Sequence, residues 1–345
     1  MEPKKIILHC PTPVGDFIMA TPALRAIRDH YPEARICLLL KPALRELADG
    51  AHWFDDIITY PDQRERAYFF RYLSLIAQLR KEAFDLAILF PNSFSSAWMV
   101  WLAGVRRRVG YARDGRRLLL TDRIEPPKRN GQFIPQPMLD YYGGLLAHLG
   151  INCQTKNLDL YVTASAQEKA LTILKAQGIS LDRPLVAINP SAGFGSSKYW
   201  RSDYFAQVAD TLIEQYNSQI LLLPAPGEYF LAQEIEGFMR HKPVVIQGEE
   251  VSLGLLKALI YYCQIFVTTD SGPRHIAVAL DKPVVVVMGP THPAYSDVGH
   301  PRTIVLREDI DCSPCHLKTC PTDHRCMELI TPEKVLKKVK WDGSI

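Results

Sequence analysis

The stretch from residue 264 to residue 291 constrains the fold most, because it predicts a buried strand, a sharp turn, a helix and a second buried strand. Residues 264–268 are apolar and β-branched, as in the core strand of a parallel sheet. Gly272 permits a tight turn, and Pro273 suits the first turn of a helix. The pattern therefore predicts an open α/β sheet, whose ligands bind at the carboxyl ends of the strands.

The turn itself carries chemistry that suits phosphate. The start of a helix offers unpaired backbone N–H groups and the positive end of the helix dipole. Asp270, Ser271 and His275 flank this position, and Thr291 ends the second strand. The segment therefore predicts half of a site for a phosphorylated ligand, although a lone histidine such as His275 can equally be an ordinary helix residue.

The rest of the chain repeats the alternation of strands and helices, which predicts parallel, doubly wound α/β sheets. Strands are expected at residues 5–10, 35–40, 86–90, 185–189, 219–223 and 243–246, and helices at 22–30, 63–82 and 202–216. Residues 149–160 lack helical periodicity, so two domains are expected, 1–160 and 161–331. A final helix, residues 332–340, can pack back on the first domain.

Composition and charge fit ordinary globular domains. At 345 residues the chain can bury two cores, and a net charge of +3 gives no reason to expect nucleic acid. Met1 leads almost directly into a strand without a signal-peptide pattern, and the most apolar window, residues 86–105, is interrupted by Pro91. We therefore expect a cytoplasmic protein that does not span a membrane.

Two further motifs place glycines next to charged residues. Gly15 and Asp16 are expected in a loop after the first strand, and Gly193 and Gly195 lie shortly before Lys198. Glycine lets a backbone approach phosphate closely, and a lysine can pair with it. On the residues alone, Asp16 can also be a helix-start carboxylate, and Lys198 a surface lysine over an aromatic ring.

Three motifs, in the same order along the chain, resemble glycosyltransferase family 9, the family of the ADP-heptose:lipopolysaccharide heptosyltransferases. They are residues 13–25, residues 189–200, and residues 270–280 with 289–291, so the resemblance spans nearly the whole chain. The middle motif is most similar to the heptosyltransferase II branch. The resemblance implies a GT-B fold, in which two Rossmann-like domains face a cleft.

The same resemblance implies an inverting transfer of L-glycero-D-manno-heptose from ADP to the inner core of lipopolysaccharide, with no cofactor required. Asp16 matches the family's proposed general base, and Lys198 matches a ligand of the donor diphosphate. The expected donor-binding residues of the second domain are Ser191, Lys198, Glu228, Asp270, Ser271, Gly272, His275 and Thr291. The resemblance implies that Glu228 binds the ribose hydroxyls of the donor, but Glu228 can equally be a solvated glutamate in the first turn of a helix.

A basic stretch in the first half has two interpretations. Residues 106–129 hold nine basic and three acidic residues, which usually indicates a solvated face. The resemblance implies an acidic, lipid-anchored acceptor, for which Ser93, Arg113 and Arg116 are the candidate ligands. It also implies contact with the surface of the inner membrane.

The eight cysteines fall into two groups. Four lie in apolar surroundings and predict inert buried thiols: Cys10, Cys37, Cys153 and Cys263. The others lie close together in sequence, as in a Cys₄ metal site: Cys312, Cys315, Cys320 and Cys326. Their spacing differs from that of a zinc ribbon, so a structural zinc site and a set of metal-free thiols both stay open as interpretations. Similar cysteine clusters recur in some members of family 9. No catalytic metal motif is present.

Two rival functions stay open. One is another GT-B-like nucleotide-sugar enzyme, such as an epimerase, which needs no acceptor, and the other is a non-catalytic nucleotide-binding scaffold. Turnover without an acceptor would identify the first, and binding without turnover the second. A dehydrogenase is disfavoured, because no Gly-x-Gly-x-x-Gly motif follows the first strand.

Overall fold

The computed structural model describes residues 2–61, 67–153, 155–246, 251–296 and 298–339. The chain divides into two compact units, Met1–Asp159 and Leu160–Ile345. The division lies at the end of the aperiodic segment 149–160, which forms neither helix nor strand in the residues described there. Within the described ranges, no helix is both long enough and apolar enough to cross a bilayer.

The first unit is built on a parallel six-stranded sheet in the order β3-β2-β1-β4-β5-β6. Its strands are β1 Lys5–His9, β2 Arg35–Leu40, β3 Asp56–Thr59, β4 Leu86–Leu89, β5 Arg107–Tyr111 and β6 Asp122–Ile124, with a separate antiparallel pair, β7 Lys128–Arg129 and β8 Gln132–Phe133. Its helices are α1 Val14–His30, α2 Arg45–Ala48, α3 Tyr68–Glu82, α4 Phe94–Leu102 and α5 Met138–Ala147. Residues 63–66 of the predicted helix 63–82 lie outside the described residues.

Helices α3 and α4 pack on the same face of this sheet. Leu75 and Leu79 of α3 and Val100 of α4 join Leu39 and Leu89 of the sheet in one buried cluster. The two helices also contact each other. Because each helix connects two strands of the same parallel sheet, α3 and α4 run in the same direction.

Helix α1 begins at Val14 and not at residue 22, so the sequence-based start was wrong. Gly15 and Asp16 consequently lie in the first turn of this helix and not in a loop. The prediction took Pro22 as the first helical residue, because proline is usually excluded from a helix interior.

A side-chain hydrogen bond accommodates Pro22 inside α1. Proline has no N–H, so the carbonyl of Ile18 loses its usual helical partner. The hydroxyl of Thr21 donates a 2.7 Å hydrogen bond to that carbonyl, and it accepts a 2.9 Å bond from the backbone N–H of Asp159. The helix can therefore continue through the proline and carry Asp16 in its first turn.

The second unit repeats the architecture with a parallel sheet in the order β11-β10-β9-β12-β13-β14. Its strands are β9 Leu185–Asn189, β10 Gln219–Leu222, β11 Val244–Val245, β12 Ile265–Thr269, β13 Val284–Val287 and β14 Thr303–Leu306. Its helices are α6 Ala164–Ala176, α7 Ser202–Tyr216, α8 Tyr229–Phe238, α9 Leu253–Tyr262, α10 Gly272–Ala279, α11 Arg325–Glu328 and α12 Pro332–Leu336. The two sheets confirm the predicted α/β class.

The last helix packs within the second unit, to which its residues belong. Its packing on the first domain stays a prediction. Helix α12 contacts α7. Val335 and Val339 are buried in the core of the second unit, in the same cluster as Trp200 and Phe205. The apolar face of this segment is thus covered within its own unit.

Candidate functional site

The residues predicted to bind a donor gather at the carboxyl edge of the second sheet. The strand order reverses between β9 and β12, so the loops after these two strands diverge and leave a binding position. Ser191 and Lys198 lie in the loop after β9, Asp270 and Ser271 follow β12, and Thr291 follows β13. The topology therefore explains why motifs far apart in sequence meet.

Asp270 is the centre of this arrangement, because side chains from three segments contact its carboxylate. Its Oδ2 lies 2.6 Å from Lys198 Nζ and accepts a 2.7 Å hydrogen bond from the hydroxyl of Thr291. Its Oδ1 accepts a 2.7 Å bond from Arg274 Nη1, one helical turn further along. Lys198, Asp270 and Arg274 are all buried, so this cluster is shielded from bulk water.

The cluster has a surplus of positive charge. Burial alone would raise the pKa of Asp270, but the charges of Arg274 and Lys198, with hydrogen bonds from Lys198 and Thr291, hold that pKa well below its usual range. One carboxylate is thus paired with two cationic side chains. A buried position with surplus positive charge suits an anionic ligand such as a diphosphate.

His275 lies in the same helix and contributes no charge. Burial, reinforced by the neighbouring charge of Arg274, lowers the pKa of His275 well below its usual range, so the imidazole is neutral. Its Nδ1 has no hydrogen-bond partner among the described residues. The arrangement fits a hydrogen-bonding role for His275 rather than charge pairing.

The N-terminus of α10 adds backbone donors beside Lys198. Ser271 is the N-cap residue, but its side chain does not cap the helix and instead lies 3.2 Å from the hydroxyl of Thr268. The first-turn N–H groups of a helix, here beginning at Gly272, point out of its end and favour an anion. Phosphate oxygens could therefore bind to backbone and lysine together.

Ser191 connects neighbouring loops at this edge. Its hydroxyl accepts a 2.7 Å hydrogen bond from the backbone N–H of Ala225, and its carbonyl accepts a 2.9 Å bond from the hydroxyl of Thr269. Ser191 is only 2% exposed, so these contacts hold the loops after β9, β10 and β12 in register.

Glu228 offers an acceptor oxygen beyond these loops. The hydroxyl of Tyr199 donates a 2.6 Å hydrogen bond to Glu228 Oε1, and Oε2 is buried without a partner among the described residues. Burial, together with the bond to Glu228, raises the pKa of Tyr199 to about 12. The second carboxylate oxygen could thus accept a hydrogen bond from a sugar hydroxyl.

The cysteine segment, residues 312–330, packs against the loop that carries Lys198. The carbonyl of Lys318 accepts a 3.0 Å hydrogen bond from the backbone N–H of Ser197. Nε2 of His324 lies 2.6 Å from the carbonyl oxygen of Ser197. Because Ser197 directly precedes Lys198, the segment fixes the position of the lysine.

Two glycines make this close packing possible. Gly195 has a φ of +152°, and a Cβ there would lie 2.3 Å from the carbonyl oxygen of Lys318. A Cβ at Gly289, in the loop before Thr291, would lie 2.7 Å from Cys326 Sγ. The hydroxyl of Ser313 also donates a 2.7 Å hydrogen bond to the carbonyl of Gly289. The cysteine segment therefore braces both loops that contact Asp270.

The four thiols of this segment lie near one another. Burial, followed by the nearby sulfurs of Cys320, Cys312 and Cys315, raises the pKa of Cys326 to about 11. All four are free thiols. Within the part of the chain that the structure describes, no group of three or more His, Cys, Asp or Glu residues is arranged to hold a metal ion. Structural zinc therefore stays a hypothesis.

Asp16, in the first unit, is a carboxyl group with a raised pKa. It lies at the carboxyl edge of the first sheet, in the first turn of the helix that follows β1. Burial raises its pKa from 3.8 to about 6. A pKa in this range suits a carboxyl group that exchanges a proton near neutral pH.

A cavity of about 470 Å³ opens at the same edge of the first sheet. His9 at the end of β1 and Asn92, Ser93 and Ser96 at the start of α4 line it, together with Lys41. Ser93 is the N-cap of α4, and its side chain accepts a hydrogen bond from Ser96 N at 3.3 Å. Ser93 is thus placed where a polar ligand of the first unit could bind.

The structure differs from expectation at Arg116, which was predicted as an accessible basic residue. Its guanidinium is fully buried and donates to the carbonyls of Tyr111 and Pro91 and to the hydroxyl of Ser96, the last at 2.8 Å. Burial lowers its pKa to about 10. Arg116 can therefore influence a ligand only through the loop it supports, whereas Arg113 is half-buried, with its guanidinium 3.9 Å from the ring centre of Phe133.

Several residues that shape the site were not singled out from sequence. Arg274 and Tyr199 contact predicted site residues directly, and Ser197 directly precedes Lys198 in the chain. Arg274 and Tyr199 stood inside the quoted motifs, so their adjacency was a usable signal. The contact of Lys318 with Ser197 had no such signal, because the two residues are far apart in sequence.

The sequence of this chain is similar to a known family and to known proteins. Residues 72–325 match the family model "Glycosyltransferase family 9 (heptosyltransferase)". The chain is 28% identical to lipooligosaccharide heptosyltransferase 2 of Campylobacter jejuni (strain 81116), over 97% of this chain and 98% of that protein. It is 26% identical to lipopolysaccharide heptosyltransferase 2 of Escherichia coli K12, over 97% of each.

Two solved structures of family 9 glycosyltransferases have a fold similar to that of this chain. The crystal structure of a family 9 glycosyltransferase from Veillonella parvula has a TM-score of 0.83, with 20% identity over 97% of this chain and 95% of that one. The structure of E. coli ADP-heptose lps heptosyltransferase II has a TM-score of 0.80, with 26% identity over 97% of each chain. The expected GT-B fold class is confirmed, and the chain belongs to glycosyltransferase family 9, the heptosyltransferase family.

Proposed function

We propose that this glycosyltransferase moves L-glycero-D-manno-heptose from ADP-heptose to the inner core of lipopolysaccharide, with inversion at the anomeric carbon. The observation that carries the proposal is the buried cluster of Lys198, Asp270 and Arg274 beside the N-terminus of α10. Its surplus positive charge and backbone donors suit a leaving diphosphate. The names of the relatives, heptosyltransferase 2, support the sugar and the acceptor.

In the proposed reaction, Asp16 takes the proton of an acceptor hydroxyl. The oxygen attacks the anomeric carbon of the heptose while the bond from that carbon to the diphosphate oxygen breaks, and ADP leaves from the opposite side. The pKa of about 6 keeps Asp16 ionised at neutral pH and makes it a useful proton acceptor. Ser93 and Arg113 are proposed to contact the acceptor, and Arg116 to support the loop that carries Ser93.

The second unit is proposed to hold the donor. Lys198 and the start of α10, at Ser271 and Gly272, bind the diphosphate, with His275 as a neutral hydrogen-bonding partner. Glu228 accepts hydrogen bonds from ribose hydroxyls through its unpaired Oε2. Thr291 and Ser191 hold the loops in place.

No cofactor is proposed for the transfer step. The described side chains and helix terminus can meet the charge of the leaving diphosphate themselves. Structural zinc at the four cysteines is a separate hypothesis. Elemental analysis of the reduced protein tests it, with about one zinc ion per chain as the supporting result.

The reaction is proposed to occur in the cytoplasm, at the surface of the inner membrane. The proposed acceptor is anchored in lipid, whereas the donor is a small anionic molecule. The enzyme would therefore meet the two substrates where the membrane and the cytoplasm adjoin.

Binding and turnover experiments test the proposal together. Calorimetry with ADP-, GDP- and UDP-sugars should give the tightest binding for ADP-heptose. Release of ADP should then require lipopolysaccharide truncated before the second inner-core heptose, and nuclear magnetic resonance of the product should show inverted configuration. Isomerisation of the sugar without acceptor would favour an epimerase, and binding without any turnover would favour a scaffold.

A further inference from the structure

Helix α4 has an apolar surface on the side that faces solvent as well as on the side that faces the core. Its nine residues, Phe94–Leu102, include no charged side chain. Ala97 and Val100 are buried against the sheet, whereas Phe94, Trp98 and Trp101 are 47%, 38% and 44% exposed. Large aromatic rings on the solvent side of a helix without charged residues indicate a docking surface.

The exposed aromatic residues of α4 form a continuous row. Phe94, Trp98 and Trp101 are spaced by four and three positions, which places them on one face of the helix. The ring centres of Phe94 and Trp98 are 5.9 Å apart, and those of Trp98 and Trp101 are 5.0 Å apart, with stacked orientations. The rings are therefore held in a fixed array before any partner binds.

Elements that contact α4 expose further apolar side chains. Helix α3, which lies beside α4 on the same face of the sheet, exposes Phe69, Phe70 and Leu73. The short turn Arg117–Leu119 contacts α4 and exposes Leu118, which is 83% accessible. Together with the row on α4, these residues make up what we call the aromatic face.

The charges around the aromatic face are mainly positive. On α3, Arg71, Arg80 and Lys81 are exposed, and the only acidic residue is Glu82 at the end of the helix. Arg80 also donates a 2.6 Å hydrogen bond to the carbonyl of Leu102, which places its cation at the end of α4. Arg106, just beyond α4, is exposed as well.

We propose that the aromatic face docks the protein on the surface of a bilayer that contains anionic phospholipids. Tryptophan and phenylalanine insert at the level of the headgroups, and flanking arginine and lysine pair with anionic lipid. A second copy of the chain fits less well, because a symmetric contact would place the same cations opposite one another. The proposal rests on the proposed function in one respect, since a lipid-anchored acceptor gives the enzyme a reason to bind a membrane.

Vesicle binding tests this inference directly. Wild-type protein should co-sediment with vesicles of three parts phosphatidylcholine and one part phosphatidylglycerol, and more weakly with phosphatidylcholine alone. The double variant Trp98→Ser/Trp101→Ser should lose about tenfold or more of its partition coefficient, because two large apolar side chains no longer insert. Phe69→Ser/Phe70→Ser, which alters more exposed rings, should weaken binding in the same direction.

The matched control is Phe238→Ser, an exposed phenylalanine on α8 of the second unit, which should bind vesicles like the wild type. Thermal unfolding and ADP binding establish that each variant is folded. Equal binding of wild type and both double variants would overturn the proposal. The proposal would also be overturned if wild-type protein did not bind anionic vesicles, or if analytical ultracentrifugation showed that it dimerises through this face.

The outcomes separate this inference from the proposed function. Transfer to a short, water-soluble acceptor fragment does not require a membrane. An enzyme that transfers heptose to the fragment but does not bind vesicles would contradict only the docking surface. One that binds vesicles through the aromatic face but transfers no heptose would contradict only the proposed function.

Discussion

The ammonium nitrogen of Lys198 lies 2.6 Å from Oδ2 of Asp270, in an ion pair buried on both sides. The lysine is thereby held at the carboxyl edge of the second sheet, although the two residues are separated by 72 positions in sequence. A diphosphate that arrives at this edge meets a cation already positioned, so little side-chain entropy is lost on binding.

Lys198→Ala should weaken the binding of ADP as much as that of ADP-heptose, because the lost contact is to phosphate and not to sugar. A charge-assisted hydrogen bond of this kind contributes roughly 1.5–3 kcal/mol. Calorimetry with both ligands measures the loss. Lys282→Ala, which removes a half-buried lysine before β13, is the control and should bind normally. Unchanged ADP affinity in Lys198→Ala would exclude this lysine from the site.

Gly195→Ala should raise the KM for the donor while the protein stays folded. The added Cβ meets the carbonyl of Lys318, and the φ of +152° is unfavourable for alanine, so the loop must shift. Gly193→Ala is the matched control, because a Cβ at Gly193 has no heavy atom within 4 Å. Equal donor KM values for the two variants would show that the contact with Lys318 does not position the loop.

Replacing Cys312, Cys315, Cys320 and Cys326 together with serine should lower the melting temperature and spare the chemical step. The segment that carries them braces the loops of Lys198 and Thr291, and Cys326 packs against Gly289. Thermal unfolding and kcat at saturating donor are the two measurements. A variant that is fully folded and binds ADP but cannot transfer sugar would assign these thiols to catalysis.

The rate of transfer should depend on the ionisation of Asp16. Burial raises its pKa to about 6, so the base is protonated at lower pH and kcat/KM should fall there. The folded state also binds this proton more tightly than the unfolded state. Stability contributed by the protonated carboxyl is therefore lost as the pH rises from 3.8 through about 6. A kcat/KM profile that stays flat down to pH 4 would contradict the assignment.

Sequence reasoning succeeded where the signal was local. Apolar runs identified β2 and β9 with their observed bounds, because buried parallel strands leave a continuous apolar pattern. Glycines next to polar residues likewise identified the turns after β9 and β12. These features depend on neighbours in the chain and not on the rest of the fold.

Sequence reasoning failed where a contact with a residue far away in the chain overrides the local preference of a residue. Pro22 was read as a helix start, because the sequence does not show that Thr21, which donates to the carbonyl of Ile18, accepts a hydrogen bond from the distant backbone N–H of Asp159. Arg116 was read as exposed, because the sequence does not show that its guanidinium donates to distant acceptors such as the carbonyl of Pro91 and the hydroxyl of Ser96. Such contacts require the tertiary structure.

Asp16→Asn tests the central claim most directly, which is that the second unit binds the donor while Asp16 supplies the base. Single-turnover transfer from labelled ADP-heptose to truncated lipopolysaccharide should slow by about 10²–10⁴-fold in this variant. ADP affinity, measured by calorimetry on the same preparation, should stay unchanged, because the proposed donor contacts lie around Lys198 and Asp270 in the second unit. Transfer at a near-wild-type rate would contradict the account.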